Sequence, residues 1–130
     1  MIADTSSLVC IVLGEPDAES HAQAILGATR VAISSATLVE ASIVLEARQG
    51  PDATRDLELL IERCGVEVVP LDATQAREAM EAWRRFGKGR HPAALNFGDC
   101  FAYALARSTD EPLLFKGDDF SQTDIRAALA

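Results

Sequence analysis

Little in this sequence answers to the usual markers of secretion, zinc binding or membrane insertion. The 130 residues contain three cysteines, Cys10, Cys64 and Cys100, far apart and without a CxxC pair. That spacing excludes a disulfide framework, and with only His21 and His91 beside them a structural zinc site has too few ligands. Cys10 and Cys100 sit in apolar runs and are expected to be buried free thiols of a reducing cytoplasm. No apolar run approaches the ~20 residues that span a bilayer. No basic segment precedes an apolar one at the N-terminus, so a signal peptide is not expected either. Positive charge is also scarce: 12 Lys and Arg stand against 20 Asp and Glu, a formal charge of −8. Such a surface repels bare nucleic acid unless cations bind or the charge is locally segregated.

What is present reads as one globular domain over residues 1–130. Apolar residues make up 48% and charged residues 25%, and the chain lacks repeats, low-complexity segments and linkers. Residues 1–4 read as a short buried strand ending in the polar cluster Asp4-Thr5-Ser6-Ser7, followed by a short helix over 8–13. Helix is expected over 17–28, a strand over 31–34, and a helix capped by Ser35 that stops at Gly50-Pro51. A further amphipathic helix covers 52–64, and the Val-rich segment 66–70 reads as a buried strand. Asp72-Ala73-Thr74-Gln75 has the form of a capping box opening a helix to about Phe86. An apolar helix over 96–107 and a strand over 112–116 follow; 124–129 suits a short helix or an edge strand equally. Alternating strands and helices argue for an α/β fold, a small parallel sheet covered on both faces.

Sites in open α/β sheets form past the carboxyl ends of the strands. Asp4 follows the first strand; Asp118 and Asp119 follow the last. Asp4 is equally placed to cap the helix beginning near Ser6. Glu40 shares a helix face with Ala36, Ile43 and Val44, so its carboxylate must be paired with an arginine, protonated or metal-bound. Glu46, near the end of the same helix, reads as a solvated charge. Asp99 is the lone charge between Phe97 and Ala106, and with Asn96 three residues earlier it mimics a capping box. Four carboxylate positions from separate segments suggest one oxygen-lined site for Mg²⁺ or Mn²⁺ and metal-assisted phosphoryl chemistry, most simply hydrolysis. Arg84, Arg85, Lys88 and Arg90 cluster with His91 and are interleaved with Trp83 and Phe86. They suit either a solvated helix end or, with Lys116, a surface holding a phosphate backbone. Met80 and Trp83 share a face expected to pack in the core.

The segments Met1-Ile2-Ala3-Asp4-Thr5-Ser6, Thr37-Leu38-Val39-Glu40-Ala41-Ser42, Leu95-Asn96-Phe97-Gly98-Asp99-Cys100-Phe101-Ala102 and Leu114-Phe115-Lys116-Gly117-Asp118-Asp119-Phe120 occur in that order. Together they resemble the PIN-domain ribonucleases, specifically the VapC-type toxins of toxin–antitoxin pairs, over essentially the whole chain. The resemblance implies a PIN-like, three-layer arrangement and a Mg²⁺- or Mn²⁺-dependent endoribonuclease. It matches Asp4, Glu40 and Asp99 to the first three acids, Thr5 or Ser6 to a supporting hydroxyl, and Asp119 to the fourth acid, with Asp118 the adjacent alternative. Gly117 stands where many members carry a further acid. The mechanism so implied has Asp4 and Asp99 as direct metal ligands, and Glu40 with the fourth acid holding the attacking water. A VapB-type antitoxin, an RNA substrate, a homodimer and a cytoplasmic setting are implied as well.

Two rival readings are distinguishable. A haloacid-dehalogenase-like phosphohydrolase wants a second Asp two residues after the first, where Ser6 stands. A non-catalytic α/β binding module would use the acids only as caps and partner contacts.

Overall fold

A computed structural model describes residues 1–129. The chain runs β1 (Ile2–Ala3), α1 (Thr5–Leu13), α2 (Ala18–Gly27), β2 (Ala32–Ser34), α3 (Ser35–Gln49), α4 (Pro51–Arg63), β3 (Glu67–Val69), α5 (Ala73–Phe86), α6 (Phe97–Thr109) and β4 (Leu113–Leu114). The four strands pair in parallel in the order β3-β2-β1-β4. The chain therefore moves outward from β1 to β3 and then returns to the other side of β1. The crevice between β1 and β4 is the point where strand order reverses, the place where such sheets bind ligands.

Strand geometry decides the layers, because neighbouring residues point to opposite faces. Ile2, Ala32 and Leu113 enter one core with Phe86, Leu95 and Leu105. Ala3, Ile33 and Leu114 enter the other with Leu8, Leu45 and Leu57. Burying each large aliphatic side chain in these layers contributes roughly 1.5–3 kcal/mol. At the opposite, amino-terminal edge of the sheet, Arg30 bonds Glu67 at 2.7 Å and also Glu111, which pairs with the Met1 amine. These ties fasten the strand starts and leave the carboxyl ends free for chemistry.

Several local expectations are corrected. The helix expected over 8–13 begins at Thr5, because the Asp4 side chain accepts from the Ser6 N–H and caps it one turn earlier. Ser34, not Ser35, caps α3; Ser35 Oγ instead accepts from the Leu71 N–H at 3.0 Å. Strand β3 is an edge with Glu67 and Val68 exposed, not a buried strand, because no further strand covers it. Asp72 accepts from the Gln75 N–H at 2.8 Å without a reciprocal side-chain bond, so half of the expected box forms. The undecided 124–129 segment makes an isolated parallel bridge, Ala127 to Leu113, and so lies along β4 as an edge. Met80 is exposed rather than core. Cys10 and Cys100 are buried, Cys64 is partly so, and all three are free thiols.

Candidate active site

Asp4 emerges from β1 directly into the crevice. Its Oδ2 accepts from the Ser6 N–H at 3.0 Å and from Ser6 Oγ at 2.7 Å. Ser6 Oγ also accepts from the Lys116 N–H at 2.9 Å, tying the end of β1 to the segment after β4. Capping and site placement thus coexist: Oδ2 does the capping, while Oδ1 is buried without a protein partner. A buried carboxylate oxygen left unpaired is costly. Burial, with Glu40 nearby, accordingly pushes Asp4 up to about 6 against the two Ser6 hydrogen bonds.

Asp99 sits in the first turn of α6 in a reciprocal capping box. Its Oδ2 accepts from the Asn96 N–H at 3.0 Å, and Asn96 Oδ1 accepts from the Asp99 N–H at 2.9 Å. Burial is the main cause raising Asp99 to about 7; the charges of Asp4, Asp119 and Glu40 add to it. Those three carboxylates are therefore near enough to be felt. Asp119 reaches the same cavity through the turn after β4, where Gly117 takes a left-handed φ of 99° that disfavours any side chain. Phe120, 2% exposed, anchors that turn.

Glu40 projects from α3 and is half-buried. Among the described residues no arginine pairs with it; Thr5 Oγ donates to its Oε1 at 2.5 Å. Its apolar neighbour Ile43 is exposed, so the face is a groove beside the site rather than core. The Glu40 carboxylate rests on Gly98 of α6, where an added Cβ would overlap it. Gly98 is thus a position packed against the candidate site that sequence reading missed, although a glycine in the second helical position is itself a signal. Gly98→Ala should fold at least as stably as the parent, since alanine is favoured in a helix by about 0.5–1 kcal/mol. It should nevertheless lose on the order of 100-fold in activity, the cost of a displacement of about 1 Å at a reacting group. Parallel melting curves and rate measurements check this; an unaltered rate would show that Glu40 is free to relocate.

Asp4, Glu40, Asp99 and Asp119 line one cavity of about 340 Å³ with Thr5, Ser6, Asn96, Lys116 and Arg48. Asp118 instead lines a neighbouring cavity, which leaves Asp119 as the fourth acid of this one. Ser6, occupying the place where a dehalogenase-like enzyme needs an acid, is committed to Asp4 and Lys116.

The basic cluster is not brought here. Arg84 pairs with Glu81 at 3.2 Å, Arg85 bonds Tyr103 and Asp124 at 3.3 Å, and Arg90 stacks 4.8 Å above Trp83. Lys88 lies in the same loop outside the cavity lining. The cavity's cations are Lys116 and Arg48. Arg48 follows Glu40 and Val44 at four-residue spacing on α3, so its position was open to a periodicity argument.

The residues fit a hard divalent cation. The donors are all oxygens, Asp4 Oδ1 is buried without a partner, and the adjacent carboxylates raise one another's proton affinity. Among the described residues no three His, Cys, Asp or Glu side chains already form a closed metal-binding group.

The PIN domain family model matches residues 1–126. Ribonuclease VapC of Mycolicibacterium smegmatis is 48% identical over 127 residues, covering 98% of each chain. Ribonuclease VapC30 of Mycobacterium tuberculosis is 46% identical over 125 residues, covering 96% of this chain and 95% of that one. Among solved structures, VapC20 of Mycobacterium tuberculosis, described as a Sarcin-Ricin loop cleaving toxin, aligns with a TM-score of 0.77 at 20% identity over 95% of both chains. VapBC2 of Rickettsia felis, bound to a DNA fragment from its promoter, aligns with a TM-score of 0.74 at 15% identity over 97% of this chain and 94% of that one. Those two likenesses carry the fold. With acids from β1, α3, α6 and the turn after β4 around one crevice, and a family match along nearly its whole length, the chain belongs to the PIN domain family, among its VapC ribonucleases.

Proposed function

We propose that this chain, one PIN domain over residues 1–130, is the toxin of a toxin–antitoxin pair, an endoribonuclease that hydrolyses RNA phosphodiester bonds with Mg²⁺ or Mn²⁺. The observation carrying the reading is the unpartnered, buried Asp4 Oδ1 in a cavity shared with Glu40, Asp99 and Asp119. A binding module using its acids only as caps would leave no carboxylate oxygen buried and unused. Asp4 and Asp99, with Asp119 beside them, would hold a divalent ion, which when bound would supply positive charge to the phosphate and to the group that leaves it.

The rest is done by the chain's own groups. Ser6 holds Asp4 Oδ2, and the Asn96 N–H holds Asp99 Oδ2, so each carboxylate keeps one oxygen for the site. Thr5 fixes Glu40 through Oε1, leaving Oε2 to accept a hydrogen from the attacking water. Asp119, which lines the same cavity, helps to orient that water. Arg48, and Lys116 by exchanging its pairing with Glu15 at 3.4 Å, hold the phosphate backbone on a surface that is otherwise acidic.

A VapB-type antitoxin is the partner, competing with RNA for the same groove, and a homodimer is the expected assembly. Among the described residues no helix is long and apolar enough to cross a membrane. We place the protein in the cytoplasm, where RNA and antitoxin are made.

Purified protein freed of antitoxin should cleave RNA with Mg²⁺ or Mn²⁺ and stop when chelator is added. Cleavage persisting in chelator would defeat the metal-dependent reading. Glu40→Gln should weaken metal binding, which a mere salt-bridge partner would not do. Arg48→Ala should raise KM several-fold at low salt with kcat nearly kept. The slope of log KM against log salt should flatten by about 0.7, one phosphate contact on a single strand. Equal loss in kcat would place Arg48 in the chemical step instead.

A further inference from the structure

Helix α1 opens with three hydroxyls, and each is used differently. Thr5 serves Glu40 and Ser6 serves Asp4, while Ser7 bonds a histidine outside the acidic cavity. Ser7 is fully buried, and its Oγ lies 2.8 Å from Nδ1 of His21 on α2, itself 4% exposed. Ser7 Oγ has no other hydrogen-bond partner among the described residues, so its hydrogen is directed to Nδ1. On that ground Nδ1 is assigned as the acceptor, which places the ring hydrogen on Nε2. Burial holds the ring below the ordinary histidine value, keeping it neutral near pH 7.

His21 Nε2 has no protein partner among the described residues, yet it is not among the atoms sealed from solvent. The ring forms part of the wall of a cavity of about 600 Å³ that includes Asp17, Phe115, Lys116, Asp118 and Phe120. Lys116 and Phe120 also line the acidic cavity, so these two residues border both spaces.

We propose that the His21 cavity is a nucleobase subsite, taking the base that flanks the scissile phosphate while Lys116 holds the phosphate between the two cavities. The inference rests on the ribonuclease reading above. A base presents flat apolar faces with donors and acceptors at its edge. The cavity offers the Phe115 ring as an apolar wall, one neutral donor at His21 Nε2 and acceptors at Asp17 and Asp118. A phosphate would be repelled by those carboxylates, which favours a base over a second backbone contact. The volume lies within the range of small-molecule sites.

The first test is independent of catalysis. The four nucleoside 5′-monophosphates are titrated into the parent protein in chelator while the His21 ring protons are followed by NMR, with inorganic phosphate as control. At least one nucleotide should shift those resonances at millimolar concentration, and phosphate should leave them in place. A shift in a protein that cleaves no RNA would keep the subsite and remove the ribonuclease reading. Cleavage by a protein whose His21 ring no nucleotide reaches would do the reverse.

The second test sequences the products from a randomised RNA pool. His21→Leu should reduce discrimination at one position flanking the cut by about tenfold, the effect of one lost hydrogen bond. Ser7→Ala, which releases the tautomer with little change in volume, should move the same position in the same direction if His21→Leu does not fold. Uniform slowing of all sequences overturns the subsite. So does weakened antitoxin binding with base preference intact, which would make the cavity a partner contact.

Discussion

Asp99→Asn, and equally Asp4→Asn, should abolish RNA cleavage while giving a protein that melts above the parent in chelator. The two effects have one origin. In the parent, burial and the neighbouring carboxylates raise Asp99 to about 7 and Asp4 to about 6. Near pH 7.5 both charges are held at a cost that only a cation relieves, and each tenfold rise in proton affinity corresponds to about 1.4 kcal/mol. Asparagine removes the charge but keeps an oxygen. At position 99 that oxygen still accepts from the Asn96 N–H, and at position 4 it still accepts from Ser6, so neither cap is lost. Relief of about 2 kcal/mol should raise the melting temperature by roughly 5 °C or more. The same change removes a ligand, and forfeiting about 4 kcal/mol of charge stabilisation lowers the rate roughly 1000-fold. Parental rates in both variants would dispose of the enzyme assignment. A melting point several degrees below the parent for Asp99→Asn would mean that its charge on the α6 dipole outweighs the repulsion.

The second large effect is on the pH dependence of stability in chelator. Both groups titrate higher in the folded chain than the ordinary value of 3.8, so the folded state binds protons that the unfolded state has released. Their contribution is fully present below about pH 4, and it is lost as pH rises through about 6 and about 7. The melting temperature should therefore fall by roughly 10 °C between pH 5 and pH 8, a loss of a few kcal/mol. Adding Mg²⁺ or Mn²⁺ at pH 8 should restore much of it, because the ion takes over the role of the proton. Asp99→Asn should flatten the slope. A flat profile in chelator, or an unchanged slope in that variant, would show that these carboxylates are not destabilised by their surroundings.

Three of the acids were visible in the chain because each stands alone where the surrounding pattern demands an apolar or capping residue, whereas Asp119 shares its turn with Asp118. Glu40 interrupts an apolar helical face, Asp99 an apolar helix, and Asp4 and Asp119 follow the strands that flank the crevice. The choice between capping and ligation could not be made at that level, since it depends on single oxygens. Asp4 Oδ2 caps and Oδ1 is left without a protein partner, a division that appears once α1, α3 and α6 pack together. Most of the basic cluster lies outside the acidic cavity for a related reason. Arg84, Arg85 and Arg90 look free in the sequence, yet Glu81, Asp124 and Trp83 lie within reach and engage them. Arg48 looks like an ordinary helix-end cation until α3 is set against the crevice.

Local pattern was therefore enough for the parallel α/β architecture and the acidic complement, because strand and helix periodicity and the cost of burying a lone carboxylate are properties of short segments. That Asp4 Oδ1 is left without a protein partner, that a Cβ at position 98 would meet the Glu40 carboxylate, and that His21 borders a second cavity arose from the packing of separate elements. Those facts depend on displacements of an ångström or so between separate elements, a scale that no periodicity encodes.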